Sequence, residues 1–123
     1  MGTPEIEKEG HFLILHSIIM QGGSVTKKKV LDYLEKNGLI KLTEEDYELL
    51  PTRNEQKWRN SLSYSKIYLV DNEMLDHNIH NRWKISRIGN LYYNILLEKL
   101  PTMEHKLISN KLKWEDCVVQ KTE

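Results

Sequence analysis

The sequence contains one cysteine, one phenylalanine and three prolines, carries no net charge, and has no long apolar run. A single thiol, Cys117, excludes an internal disulfide and any thiolate-rich zinc site, and it fits a reducing compartment. No apolar stretch approaches the roughly 18–20 residues that a bilayer-spanning helix requires. The first ten residues carry acids where a secretory leader carries bases. The expectation is therefore a cytoplasmic protein without a membrane partner. Eighteen bases against eighteen acids argue against a protein that coats nucleic acid by bulk charge. At 123 residues the chain is one domain's worth, long enough for a core without staples and too short for two full domains. What it does contain supports a core: 39% apolar residues, including six Tyr and three Trp, against 29% charged residues for the surface.

The zero balance conceals a segregation. Residues 53–68 hold Arg53, Lys57, Arg59 and Lys66 against Glu55 alone, and residues 77–93 hold Arg82, Lys84 and Arg87 with no acid, beside His77 and His80. The compensating acids cluster at Glu44, Glu45, Asp46 and Glu48 and at Asp71, Glu73 and Asp76. Such a distribution leaves room for one basic face.

Apolar periodicity predicts a first helix over 6–20, stopped by Gly22-Gly23 in a left-handed exit. Ser24-Val25 reads as a short extended piece. Thr26 then caps a second helix with Val30, Leu31 and Leu34 inward, ending at Asn37-Gly38. Thr43 before three acids predicts a brief third helix closed by Pro51. The longest amphipathic stretch, 54–70, places Trp58, Leu62, Ser65 and Leu69 on one stripe and Gln56, Lys57, Asn60, Ser61, Ser63 and Tyr64 on a side without acids. Met74-Leu75 and Arg82 to Ile85 read as the strands of a hairpin, with Trp83 and Ile85 on one face. Ser86 caps a last helix, 87–100, whose expected buried face is Ile88, Leu91, Tyr92, Ile95 and Leu96. The fold class is thus mainly α with a small β-hairpin, in the order of a winged helix-turn-helix. The reading places a winged-helix domain at 5–100, with 54–70 as recognition helix and 74–85 as wing. A C-terminal extension at 101–123 reads as a short helix or linker that packs on the domain or serves a partner.

A helix fits the major groove, where Asn and Gln pair with adenine edges and Arg or Lys with guanine. Asn60 and Gln56 suit base reading, while Arg53, Lys57 and Arg59 suit phosphates. With Asn54, Ser61 and Tyr64 on the helix and His77, Asn78, His80 and Arg82 at the wing tip, these form the candidate DNA-binding set. Lys27, Lys28 and Lys29 open a helix where positive charge is locally unfavourable, which points either to an anionic partner or to a solvated charge run. His77 and His80 beside Asp76 lack the one-face helical spacing of a zinc protease, so no metal is expected. No His or Asn follows Cys117 to activate it, and no acid/base pair is assembled, so neither enzymatic activity nor a cofactor is expected. Trp58, Trp83, Tyr92 and Tyr93 fit core spacing better than base stacking. Gly22-Gly23 lacks the lysine of a phosphate loop.

The run Leu42-Thr43-Glu44-Glu45-Asp46-Tyr47-Glu48-Leu49-Leu50-Pro51, then Trp58-Arg59-Asn60, the pair Tyr68-Leu69, and Trp83-Lys84-Ile85-Ser86-Arg87-Ile88-Gly89 resemble the N-terminal winged-helix domain of Mrr-type restriction endonucleases over about residues 10–100. The resemblance implies a module that recognises double-stranded DNA within a modification-dependent restriction system, attached to or partnered with a nuclease domain, with Asn60, Ser61 and Tyr64 on the exposed face of its reading helix. Glu73 stands where that family usually has a helix-ending glycine, so either Asn72 takes the left-handed position or the helix ends differently. The clustered acids and lysine of the family's nuclease part are missing from the chain. The alternative reading is a winged-helix protein-interaction or dimerisation module, or a small transcriptional regulator. Its homodimer would form through the first helix or the apolar tail residues Leu107, Ile108, Leu112 and Trp114.

Overall fold

The computed structural model describes residues 4–76 and 81–119 as a mainly helical body with a small three-stranded antiparallel sheet. Helix α1 (Pro4–Met20) is its central element, packed against all three other helices, and every residue from Glu9 to Ile18 is buried. A helix buried all round needs its polar groups satisfied internally. Ser17 Oγ accordingly donates to the Val30 carbonyl at 3.0 Å. At its end Gly22 and Gly23 take positive φ, and Gly23 N donates to Ile18 O at 2.8 Å, the expected left-handed exit.

Strand β1 (Ser24–Val25) leads into α2 (Lys27–Lys36), where Thr26 Oγ1 accepts from Lys29 N at 3.3 Å and Val30, Leu31 and Leu34 are buried. The expected third helix is only a 3-10 turn, Glu45–Tyr47, braced by Thr43 and Asp46, each accepting from the other's backbone N–H. Helix α3 (Lys57–Asp71) begins three residues later than periodicity predicts. Asn54, Glu55 and Gln56 are held outside it because Leu49 bridges to Gln56, Leu50 N donates to Glu55 O at 2.9 Å, and Lys57 N donates to Glu48 O at 2.8 Å. Its inward stripe is as expected: Trp58, Leu62 and Leu69 are buried and Ser65 is partly so.

At the exit of α3, Asn72 is not left-handed; Glu73 is, at φ 59°. Met74 N reaches Leu69 O at 2.8 Å and Glu73 N reaches Val70 O at 3.0 Å, the bond pair of a Schellman cap. Strands β2 (Leu75–Asp76) and β3 (Trp83–Ile85) follow, and β3 is central, in the order β1-β3-β2. Val25 pairs with Trp83 and Leu75 with Ile85, so the extended piece before α2 and the expected hairpin form one sheet. His77, Asn78 and His80 of the expected wing tip lie outside the described residues.

Helix α4 (Arg87–Lys99) starts at Ser86 as expected: its Oγ accepts from Gly89 N at 3.0 Å and donates to Glu73 O. Its expected buried face is corrected. Gly89, Tyr93 and Leu96 are buried, whereas Ile88, Leu91 and Ile95 are exposed and Tyr92 is intermediate. Two contacts that periodicity does not encode set the rotation: Gly89 lies against the Met74 carbonyl, and Tyr93 Oη lies 2.8 Å from His16 Nδ1.

The described part of the C-terminal extension contains only two 3-10 turns and crosses back over α1 and the α2 exit. Ile108 bridges to Ile40, and Glu9, itself buried, accepts from the backbone N–H groups of Lys106, Leu107 and Ile108. Ile108 and Leu112 are buried and Leu107 and Trp114 half-buried in the chain's own core, so the apolar residues proposed for a tail-mediated dimer are used internally. Among the described residues, no helix is long and apolar enough to cross a membrane.

Candidate functional site

The outward face of α3 lies opposite the Trp58–Leu62–Leu69 stripe and presents Asn60, Ser63, Tyr64 and Ile67, with Tyr64 61% and Ile67 52% exposed. It is less acid-free than the sequence suggests. The helix extends to Asp71, which is exposed near the end of this face, and at its start Lys57 Nζ is 3.0 Å from Glu48 and 3.7 Å from Glu45. The hydrogen bond to Glu48 raises the Lys57 ammonium above its ordinary value, with Glu45 adding to the effect. Lys57 is therefore held as a locally neutralised cation.

Arg59, read from sequence as a phosphate contact, is corrected to a packing role. Its guanidinium bonds Asp32 at 2.7 Å and Glu35 at 3.0 Å and lies 4.9 Å from the Trp58 ring centroid, tying α3 to α2. Gln56 Oε1 accepts from Trp58 Nε1 at 3.0 Å, so its carbonyl orients the indole. Arg53 donates to Asn60 Oδ1 at 3.3 Å, an exposed contact that brings these two expected site residues together. Asn54 and Ser61 are exposed. Ser61 and Tyr64 border a mainly apolar groove of about 790 Å³ between α3, α1 and the Lys41–Asp46 loop, whose charged lining is three acids, Glu7, Asp46 and Asp71, against Lys41.

On the other flank of α3 lies an open groove of about 1000 Å³ with the opposite electrostatic character. Its walls come from the start of α2 (Thr26, Lys27, Lys28), the middle of α3 (Ser63, Lys66, Ile67) and the sheet (Leu75, Asp76, Asn81, Arg82, Trp83). Four cations and one carboxylate therefore line it, beside the N-terminal backbone of α2, which carries the positive end of that helix's dipole. Lys66 Nζ sits 5.2 Å from the Trp83 ring centroid. Arg82 donates from Nε to Ser24 Oγ at 3.0 Å and from its terminal nitrogen to the Ser24 carbonyl, which fixes the guanidinium at the β1 edge. Lys27 pairs with Glu55 at 2.7 Å and Lys28 with Asp32, while Lys29 is exposed. The Lys28 and Arg59 hydrogen bonds hold the Asp32 carboxyl below its ordinary value.

The structure thus gathers Arg82 with Lys66, Ser63, Lys27 and Lys28, a set that sequence reading assigned only in part. Lys66 was visible as a base within 53–68 but belongs to the site only because β3 lies at the sheet centre. The Lys27-Lys28-Lys29 run was visible as a charge misfit, and its position at the groove wall gives that misfit a location. Among the described residues no three His, Cys, Asp or Glu side chains gather as a metal site. Cys117 is half-buried, and burial pushes its thiol up, away from the reactive thiolate. Comparisons with family models, curated proteins and solved structures found no match to the chain.

Proposed function

We propose that the chain is a winged helix-turn-helix module that binds double-stranded DNA, with α3 in the major groove and the β2–β3 ribbon on the adjacent backbone or minor groove. The observation that carries this reading is the groove where Lys27, Lys28, Lys66 and Arg82 converge beside the exposed Tyr64 and Ile67 and the half-buried Asn60 and Ser63. Phosphates are drawn to cations and to helix N-termini, and base edges are read by amide, hydroxyl and methyl groups projecting from a helix. Asn60 supplies an amide, Ser63 and Tyr64 hydroxyls, and Ile67 an apolar surface that fits a pyrimidine methyl. The element order and the central position of β3 also agree with a winged helix.

The likeness of residues 42–51, 58–60 and 83–89 to the N-terminal domain of Mrr-type restriction endonucleases supports a narrower proposal. In it the module is the target-recognition part of a restriction system and leaves cleavage to an attached or partner nuclease domain. Mobility shifts with plain and cytosine-modified duplexes over a salt series test both levels. Binding that weakens with salt and loses roughly one unit of logarithmic slope in each of Lys66→Ala and Arg82→Ala is expected. Failure to retain any duplex at about 50 mM salt would sink the DNA reading. Equal affinity for modified and plain duplexes would remove the modification-dependent part.

A further inference from the structure

We propose that the groove between α1, α3 and the Lys41–Asp46 loop binds a small organic cation, an amine or quaternary ammonium carried on an aromatic or alicyclic body. It lies on the flank of α3 away from the cationic groove, and the two share Ile67. Its depth is apolar, lined by the buried Ile40, Trp58 and Leu62. One wall is a row on α3, Ser61, Tyr64, Tyr68 and Asp71, whose spacing of three, four and three sets them on one face. Tyr64 and Tyr68 are both exposed, and His11 stacks on Tyr68 with ring centroids 4.4 Å apart and planes 11° apart, which holds that ring in place. The faces of such rings attract cations, and mainly apolar hollows of about 300–1,000 Å³ suit small ligands; this one is about 790 Å³.

Charge selects the sign of the ligand. Glu7 of α1, Asp46 of the loop and Asp71 of α3 face Lys41, whose Nζ donates to the His105 carbonyl at 2.7 Å. Burial lowers the His11 imidazole to about 4, so it adds no charge near pH 7. The Thr43 backbone N–H donates to the Asp46 carboxylate at 2.7 Å and orients it, while Glu7 and Asp71 have no cationic partner among the described ion pairs. Three carboxylates against one ammonium repel phosphate and favour a cation. They come from three separate elements, and among the described residues no three acids, histidines or thiols gather to hold a metal. Charge spread around an aromatic and apolar hollow fits a cation whose own body is apolar, because a small hydrated ion would leave that surface in water. A docked helix, about 10 Å across and about 16 Å long over three turns, occupies more than about 1,000 Å³ and exceeds the hollow.

Fluorescence anisotropy tests this without DNA, so its outcome and that of the mobility shifts are independent. The full chain is titrated to about 500 µM against a trace of the cationic dye tetramethylrhodamine methyl ester, and separately against fluorescein methyl ester, an anion on a similar ring frame. The cation should bind about tenfold more tightly or better, and unlabelled tetraphenylphosphonium should displace it. Asp71→Asn and Glu7→Gln should each weaken its binding by about twofold to fivefold, and Tyr64→Ala by about threefold, all with circular dichroism melts like the parent's. Glu98→Gln, which removes an exposed carboxylate on α4, should leave the affinity unchanged. No binding of the cationic dye at the highest concentration, equal binding of the two dyes, or equal losses in Glu98→Gln and Asp71→Asn would overturn the proposal. So would a leucine-lysine amphipathic peptide that binds through Glu7 and Asp71 where neither small cation does, since the groove would then seat a partner helix.

Discussion

Gly89 faces the Met74 carbonyl so closely that a Cβ on it would come within 2.2 Å of the oxygen and 2.7 Å of Ile85 Cγ1. The contact joins the first turn of α4 to the segment leaving α3, next to the Ser86 bond to Glu73 O. Gly89→Ala gains helix propensity worth about 1 kcal/mol, yet backbone oxygen cannot rotate away as a side chain can. Forcing α4 off its seat should outweigh that gain and leave a net loss of about 1–3 kcal/mol, read from the urea midpoint. A variant as stable as the parent would show that α4 has room to shift.

The same contact explains which parts of the molecule were legible in the sequence. Thr26, Thr43 and Ser86 announce helix or turn starts because their oxygens bond backbone groups three residues away, and all three do so. The α3 stripe was legible because only one apolar face competes for the core. Helix α4 carries two, and periodicity favoured the stripe with more aliphatic residues, whereas a glycine and a tyrosine hydroxyl decide the rotation. The candidate site was partly legible for a related reason. Composition reveals where bases occur, but whether each is free depends on remote partners: Arg59 is consumed by Asp32, 27 residues earlier in the chain.

Glu73 occupies the left-handed residue of the α3 cap at φ 59°, a conformation that costs a side-chain-bearing residue about 1 kcal/mol or slightly more. Glu73→Gly should therefore stabilise the protein by about 1 kcal/mol, less the added freedom of the unfolded chain. Denaturant midpoints of the two proteins measure it. Destabilisation would mean that the Glu73 side chain makes a contribution larger than its backbone strain.

Glu9 is 1% exposed and its carboxylate accepts from three consecutive backbone N–H groups, with Lys106, Leu107 and Ile108 at 3.1, 2.9 and 2.8 Å. It anchors the C-terminal extension to α1. Glu9→Gln retains the shape but replaces one accepting oxygen by a donor facing other donors, which should cost about 2–4 kcal/mol. The loss should be concentrated in the extension, so limited proteolysis should cut the variant between Met103 and Lys113 well before it cuts the helical body. Uniform resistance along the chain would contradict the anchor.

Two buried histidines impose a pH dependence. His11 Nδ1 lies 2.9 Å from Tyr92 Oη and His16 Nδ1 2.8 Å from Tyr93 Oη, and burial lowers both imidazoles to about 4. An unfolded chain with histidines near 6.5 binds more protons than the folded one between pH 6.5 and 4. Stability should be fully present above pH 6.5 and decline as the pH falls through that window, by up to about 3 kcal/mol per histidine. His16→Asn, which can keep an acceptor for the tyrosine hydroxyl, should flatten the slope between pH 6.5 and 4.5 while lowering stability at pH 7. An unchanged slope would remove His16 from the linkage.

The ion pairs divide the α3 cations into two experimental classes. Arg59 bridges two carboxylates on α2 and lies on Trp58, so Arg59→Ala should lower stability by about 1–3 kcal/mol, since Glu35 loses this ion pair and Asp32 keeps the one with Lys28. Its effect on DNA affinity, measured where the variant is still folded, should be small. Lys66 has no carboxylate partner among the described ion pairs and lines the cationic groove, so Lys66→Ala should leave the melt nearly unchanged and weaken DNA binding by about 1 kcal/mol at low salt. Lys57 should fall between them, because a phosphate must compete with Glu48 for its ammonium. The ordering Lys66, Lys57, Arg59 for loss of binding, opposed to the ordering for loss of stability, distinguishes a groove that meets phosphate from a helix face whose charges merely bind one another. If all three variants lost affinity only in proportion to their loss of fold, the cationic groove would not be the contact surface.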